Sequence, residues 1–87
     1  MAYVKMYSTR YCPFCIMAVC LLEEKDVDID LQKVDSQPML RQEMERLSQR
    51  TTVPQIFING RHVGGYRELL DLEEEGRLDS LLAENAA

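Results

Sequence analysis

The side chains best suited to chemistry in this sequence are Cys12 and Cys15, which are separated by Pro13 and Phe14. With this spacing, Cys12 is predicted at the N-cap of a helix and Cys15 in its first turn, on the same face, which suits a short, reversible disulfide. Free amides of the first turn and the helix dipole stabilise a thiolate at the first position. Cysteines in such motifs have pKa values of roughly 3.5–7.5 instead of about 8.5. We therefore predict Cys12 as a nucleophile and Cys15 as the thiol that resolves its mixed disulfides.

Two metal sites are alternatives to a redox pair. Zinc would need Cys20 and His62 as further ligands. Cys20 lies roughly 12 Å along the helix from Cys12 at 1.5 Å per residue, whereas the sulfur ligands of one zinc ion lie within about 4 Å of each other. This spacing excludes the zinc site, and we predict that Cys20 is a small buried hydrophobic residue and His62 an exposed one. An iron–sulfur cluster shared between two chains stays open, because a single CxxC motif is compatible with it.

Length and composition narrow the class of protein. The 87 residues are 46% hydrophobic and 29% charged, which is typical of one globular domain over residues 1–87 and excludes collagen-like and disordered chains. A net charge of -5 disfavours nucleic acid and anionic membranes as partners. The longest apolar run, Ile16 to Leu22, is far below the roughly 18 residues of a membrane span. An odd number of cysteines without a signal peptide indicates a reducing compartment, so we expect a cytoplasmic protein. We also expect the protein to be a monomer.

The hydrophobic pattern predicts the elements that must position the two cysteines. The first three elements are a strand at 3–8, a deeply packed helix from 13 to about 25, and a strand at 28–34. A second helix ends near 50, with Leu40, Met44 and Leu47 at helical spacing, and a hairpin of 55–58 and 61–63 follows it. The chain continues with a third helix that contains Leu69, Leu70 and Leu72, and with a short last helix that contains Leu78, Leu81 and Leu82. Asn59-Gly60 predicts a type I′ turn in the hairpin, and Gly76 predicts the end of the third helix. The tail beyond Asn85 is expected to fray.

This order of elements predicts the fold class. A strand–helix–strand unit followed by an antiparallel hairpin implies an α/β protein with a four-stranded mixed sheet and helices on both faces.

Three motifs carry a resemblance to a known family. They are Cys12-Pro13-Phe14-Cys15 after the first strand, Thr52-Val53-Pro54 before the hairpin, and Gly64-Gly65 at the start of a helix. In this order and spacing the chain resembles the glutaredoxins, in particular the dithiol type found in bacteria. The resemblance implies a thioredoxin-like fold and a reductase of protein disulfides and of glutathione mixed disulfides, with glutathione as the reducing co-substrate and no metal. Two other functions remain open: an electron donor recharged by thioredoxin reductase, and a carrier of a glutathione-bridged iron–sulfur cluster.

The resemblance also implies a glutathione site. Pro54 matches the family's cis-proline, and Val53 matches the residue whose backbone pairs with the cysteinyl part of glutathione. Gly64 and Gly65 match the turn whose free amides bind the γ-glutamyl carboxylate. The remaining expected contacts with glutathione are Arg10, Tyr11, Phe14, Thr52, Tyr66 and Arg67.

Two of these positions depart from the family pattern. Arg67 stands where the family commonly has the acid that meets the glutathione ammonium, so we expect it to hold a carboxylate and repel the ammonium, with Glu68 compensating from the next position. Arg10 replaces a lysine that many members carry before the active site, and we expect it to contact the glycine carboxylate of glutathione. Tyr11 and Phe14 are expected to form an aromatic rim around the cysteines.

Overall fold

The structure, a computed structural model, describes residues 2–84. Its elements in chain order are β1 (Val4–Ser8), α1 (Pro13–Glu24), β2 (Ile29–Lys33), α2 (Pro38–Ser48), β3 (Gln55–Ile58), β4 (Arg61–Gly64), α3 (Tyr66–Glu74) and α4 (Leu78–Ala83). Every predicted strand and helix is present within a few residues of its expected bounds. The predicted fraying of the tail beyond Asn85 lies outside the described residues.

The four strands form one mixed sheet in the order β2-β1-β3-β4. β1 runs parallel to β2 and antiparallel to β3, and β3 and β4 form the antiparallel hairpin. Met6 of β1 therefore lies between Leu31 and Ile56. The predicted strand–helix–strand unit and hairpin are confirmed.

Helices cover both faces of this sheet. Because neighbouring side chains of a strand point to opposite sides, each strand contributes residues to both packed layers. On one face, Val4 and Met6 of β1 pack with buried residues of α1, β3, α3 and α4, namely Ala18, Leu22, Ile56, Ile58, Leu69, Leu78 and Leu82. On the other face, Tyr7 and Phe57 pack with Met44 of α2. The predicted arrangement of helices on both faces is confirmed.

Glycine and asparagine end two elements as predicted. Asn59 and Gly60 have φ angles of 52° and 82°, the pair of positive values that a type I′ turn requires. Gly76, with φ of 73°, follows α3, and the amide of Arg77 donates to the carbonyl of Leu72 at 2.9 Å. These local signals therefore place the turn of the hairpin and the end of α3.

The prediction that α1 is deeply packed is wrong. Only Cys15, Ala18 and Leu22 of this helix are buried, a single stripe that faces the sheet, while Ile16 is 60% exposed. The prediction that Cys20 is buried is also wrong, because Cys20 lies on the exposed side of the same helix. A helix that packs on one side only buries about one residue in three or four, whatever its remaining composition.

The helical spacing of Leu40, Met44 and Leu47 predicts an apolar face of α2 with charges on the other face, and Leu47 departs from this pattern. Its side chain is 46% exposed, and Ser48 takes the buried position one turn after Met44.

Within residues 2–84, no helix combines the length and apolar character that crossing a bilayer would require.

Candidate active site at the start of α1

Cys12 is the N-cap of α1, as its position before Pro13 predicts. Its Sγ accepts a hydrogen bond from the amide of Cys15 at 3.2 Å, and the two cysteines are joined by a disulfide. Cys12 is 8% and Cys15 4% exposed, so the first is slightly the more accessible of the two. When the disulfide is reduced, that amide donor and the helix dipole are placed to stabilise a Cys12 thiolate.

The loop before β3 lies against the cysteines. The Val53–Pro54 peptide bond is cis, which confirms the expectation drawn from the resemblance, and the carbonyl oxygen of Val53 lies 3.9 Å from the Cys12 Sγ. The fully buried amide of Gln55 holds this loop, since its Nε2 donates to the carbonyl of Thr52 at 3.0 Å. The Oε1 atom of Gln55 lies 2.8 Å from the Nε2 atom of His62. Gln55 thus links the hairpin to the active-site loop, a connection that the sequence pattern did not indicate.

The N-terminus of α3 is organised by a carboxylate of its own first turn. Glu68 Oε1 accepts from the Gly65 amide at 2.7 Å and from Arg50 Nη1 at 2.7 Å. The pKa of Glu68 is lowered, and the hydrogen bond from the Gly65 amide is the largest cause. The hydrogen bond from the Arg50 guanidinium is the next largest. Gly64 has φ of 122°, and a Cβ there would collide with the Glu68 carboxylate. Glycine at this position therefore allows both the backbone turn and the cap.

A groove of about 540 Å³ runs from the active-site loop to the N-terminus of α3. Its lining consists of Phe14, Arg50, Thr52, Val53, Pro54, Gly65, Tyr66, Arg67, Glu68 and Leu70. The rings of Phe14 and Tyr66 stack across it, with centroids 6.3 Å apart and an interplanar angle of 26°. Seven of the expected glutathione contacts thus lie together in one groove, while Gly64 is buried behind it.

The structure does not bring Arg10 or Tyr11 into this groove. Arg10 lines a different groove together with Cys15 and Cys20, and its backbone amide donates to Asp35 at 3.2 Å. Tyr11 is 89% exposed and lines neither groove. The loop before α1 lies next to the residues that follow β2, through the hydrogen bond to Asp35, and the groove that Arg10 lines shares no residue with the groove at α3.

Arg50 is the charged groove residue that the sequence did not indicate, and Leu70 is an apolar one. Arg50 lies two positions before Thr52, and this closeness to the Thr52-Val53-Pro54 motif is the one feature of the sequence that could have indicated its place in the groove. Its pairing with Glu68 joins residues 18 positions apart, which no local pattern reports. Within residues 2–84, no group of three or more His, Cys, Asp or Glu side chains is arranged to hold a metal ion.

The cap at Gly65 predicts a pH dependence of stability. Because the folded-state pKa of Glu68 lies below its ordinary value of about 4.3, the interaction contributes fully above that pH and is lost as the pH falls through the lower folded-state pKa. Glu68→Gln is expected to reduce the free energy of unfolding at pH 7 by about 0.5–1 kcal/mol, since it weakens a half-exposed cap. The difference between the two proteins should shrink toward pH 3 in urea titrations.

Glu74→Gln is the matched control, because Glu74 is an exposed acid of the same helix. It should change stability by less than about 0.5 kcal/mol at either pH. Equal effects of the two substitutions at pH 7 would contradict the assigned role of Glu68.

Known proteins match this chain over most of its length. The family model described as Glutaredoxin matches residues 4–63. The chain is 48% identical over 80 residues to a glutaredoxin of Pseudomonas aeruginosa, covering 92% of this chain and 95% of that protein. It is 44% identical over 82 residues to glutaredoxin 3 of Escherichia coli, covering 94% of this chain and 99% of that protein.

The fold is shared with a solved structure of a buckwheat glutaredoxin–glutathione complex. The TM-score is 0.85 at 21% sequence identity, over 93% of this chain and 76% of that one. The predicted thioredoxin-like fold is confirmed. In this chain the Cys12–Cys15 pair lies at the N-terminus of α1, where thiol–disulfide exchange is expected. The chain belongs to the glutaredoxin family of thiol–disulfide oxidoreductases.

Proposed function

We propose that this protein is a glutathione-dependent reductase of protein disulfides and of mixed disulfides between glutathione and protein thiols. The observation that carries the proposal is the groove that begins at Phe14 and the Val53–Pro54 loop, where the Val53 carbonyl lies 3.9 Å from the Cys12 Sγ, and ends at the N-terminus of α3. Cys12 and Cys15 adjoin this groove without lining it. A thiol held in that groove would have its sulfur at Cys12 and a carboxylate at the helix end. Membership of the glutaredoxin family supports the same conclusion.

The chemistry of the groove suits a small peptide thiol with carboxylates. The backbone of Val53 lies beside Cys12 and offers polar groups to an extended peptide, as an added strand would use them. The guanidinium of Arg67 and the positive end of the α3 dipole favour carboxylates, while the guanidinium of Arg50 is paired with Glu68. Glutathione has an extended cysteinyl peptide unit and two carboxylates, and the related buckwheat protein forms a complex with it.

The proposed reaction exchanges one sulfur–sulfur bond for another at each step. The Cys12 thiolate attacks the glutathione sulfur of a mixed disulfide, the bond to the substrate sulfur breaks, and the substrate thiolate leaves and takes a proton. A glutathione thiolate then attacks the glutathione sulfur bound to Cys12, which releases glutathione disulfide and restores the Cys12 thiolate. With a protein disulfide as substrate, Cys15 attacks the Cys12 mixed disulfide instead, and two glutathione molecules reduce the resulting Cys12–Cys15 bond.

We further propose that this reaction takes place in the cytoplasm, and that the protein acts there as a monomer of one domain. A reactive dithiol with a third, exposed cysteine suits a reducing compartment, where such thiols stay reduced.

A coupled assay tests the proposed function. The reduced protein is given the mixed disulfide of glutathione with a cysteine peptide, together with glutathione, glutathione reductase and NADPH, and NADPH consumption is followed. We expect turnover that saturates with the mixed disulfide and falls to the uncatalysed rate when the protein is omitted. A protein that is inert in this assay, but whose disulfide thioredoxin reductase reduces, would contradict the glutathione dependence while leaving the dithiol chemistry in place.

A further inference from the structure

We infer that the groove recognises the carboxylates of its thiol ligand and not its amino group, so that glutathione derivatives with an acylated amino group are substrates as good as glutathione itself. The inference rests on the proposed function and goes further, because it defines which thiols that function includes.

The charges that line the groove carry this inference. They belong to Arg50, Arg67 and Glu68, and among the described residues Glu68 is the single acid of the lining. Both the Gly65 amide and the Arg50 guanidinium are bound to its Oε1 atom at 2.7 Å. The guanidinium of Arg50 thus offsets the charge of this carboxylate, which already caps a helix. Glu68 is thus engaged by groups of the protein itself, and its compensation for Arg67 stays a prediction.

Arg67 adds a positive charge that no acid offsets. It is exposed, follows Tyr66 in the first turn of α3, and makes no ion pair within residues 2–84. Together the three side chains leave the groove with one excess positive charge. The positive end of the α3 dipole adds to it.

A ligand ammonium would therefore gain little in this groove. To reach Glu68 it would have to compete with Arg50 for the carboxylate and lie next to Arg67. A ligand carboxylate, in contrast, meets the guanidinium of Arg67, which makes no ion pair within residues 2–84, and the positive end of the α3 dipole. Acylation of the amino group removes the repelled charge and keeps both carboxylates, so it should leave binding unchanged or improve it. The ligand class is that of peptide thiols with a free carboxylate at each end and no requirement for a free amine.

The test compares two mixed disulfides of one cysteine peptide, the first with glutathione and the second with N-acetylglutathione. The reduced protein is mixed with each, and the second-order rate constant for release of the free peptide is measured by chromatography. We expect the N-acetyl substrate to react at least one third as fast as the glutathione substrate. A rate below one third would overturn the inference, and the proposed function would stand as long as the glutathione substrate reacts rapidly. If neither substrate reacted faster than with a simple dithiol, both would be overturned.

Arg67→Glu supplies the specificity control, because it replaces the positive charge of the groove that is unpaired within residues 2–84 by a carboxylate that attracts an ammonium. It should lower the ratio of the N-acetyl rate to the glutathione rate by about fivefold, the size expected for exposed charges. Arg46→Glu changes the net charge equally on the exposed side of α2, away from the groove, and should leave the ratio unchanged. An equal change of the ratio in both variants would overturn the assignment of selectivity to Arg67.

Discussion

Cys12→Ser is expected to abolish turnover of every disulfide substrate, with a loss of about a thousandfold or more in kcat/KM. Cys12 is the thiol at the N-cap of α1, where the Cys15 amide and the helix dipole stabilise a thiolate, and it is the more exposed of the pair. A serine hydroxyl at the same position neither ionises near neutral pH nor forms a disulfide. Cys15 is not expected to begin the reaction, because it lies inside the first turn, away from the N-cap position, and is only 4% exposed.

Cys15→Ser should separate the two reactions of the protein. Reduction of glutathione mixed disulfides should stay within about threefold of the unmodified protein, since a second glutathione molecule can resolve the Cys12 adduct. Reduction of protein disulfides that depends on Cys15 as the resolving thiol should fall steeply. The two activities are compared with the peptide mixed disulfide and with a protein disulfide as substrates.

The third cysteine provides the control for these substitutions. Cys20 is exposed on α1 and takes no part in the Cys12–Cys15 bond, so Cys20→Ser should leave both activities within about twofold. Loss of both activities in Cys15→Ser alone would show that Cys15 is needed for more than resolution. A fully active Cys12→Ser protein would refute the assigned roles of both thiols.

Features that depend on short stretches of chain could be predicted from the sequence. The Asn59-Gly60 turn needs two positive φ angles, and both residues adopt them. The placement of Cys12 at an N-cap follows from Pro13, which is tolerated in the first turn of a helix and not in its interior. Each of these signals acts over a few residues, so tertiary packing has little opportunity to override it.

Features that depend on which side of an element meets the core could not be predicted. Cys20 and Leu47 have the apolar character of core residues, and both lie on exposed helix faces. Their exposure is decided by how each helix is rotated on the sheet, which the composition of a mostly apolar helix such as α1 does not specify. The pairing of Arg50 with Glu68 joins two elements through the tertiary fold, so the occupied cap at the groove could not be anticipated either.

Leu69→Ala is expected to produce the largest loss of stability among these substitutions, about 2–5 kcal/mol in the free energy of unfolding. Leu69 is fully buried in the core formed by β1, β3, α1 and α4. Its neighbour Leu70 was predicted on the same helix and is chemically identical, yet it is half-buried and lines the groove. Leu70→Ala should therefore cost about 1 kcal/mol or less, because it leaves no closed cavity.

Urea titrations of the two alanine variants measure this difference directly. Since a small domain is stable by only about 5–15 kcal/mol, the Leu69 variant should unfold at a clearly lower urea midpoint with an unchanged slope. Leu69 also anchors the first turn of α3, which carries the Gly65 amide and the Glu68 carboxylate, so its loss should loosen the groove as well as the core. Equal costs for the two leucines would mean that α3 is rotated on the sheet relative to this structure. In that case the groove residues Tyr66 and Arg67 would be displaced with it, and Arg67 would no longer be placed to meet a ligand carboxylate.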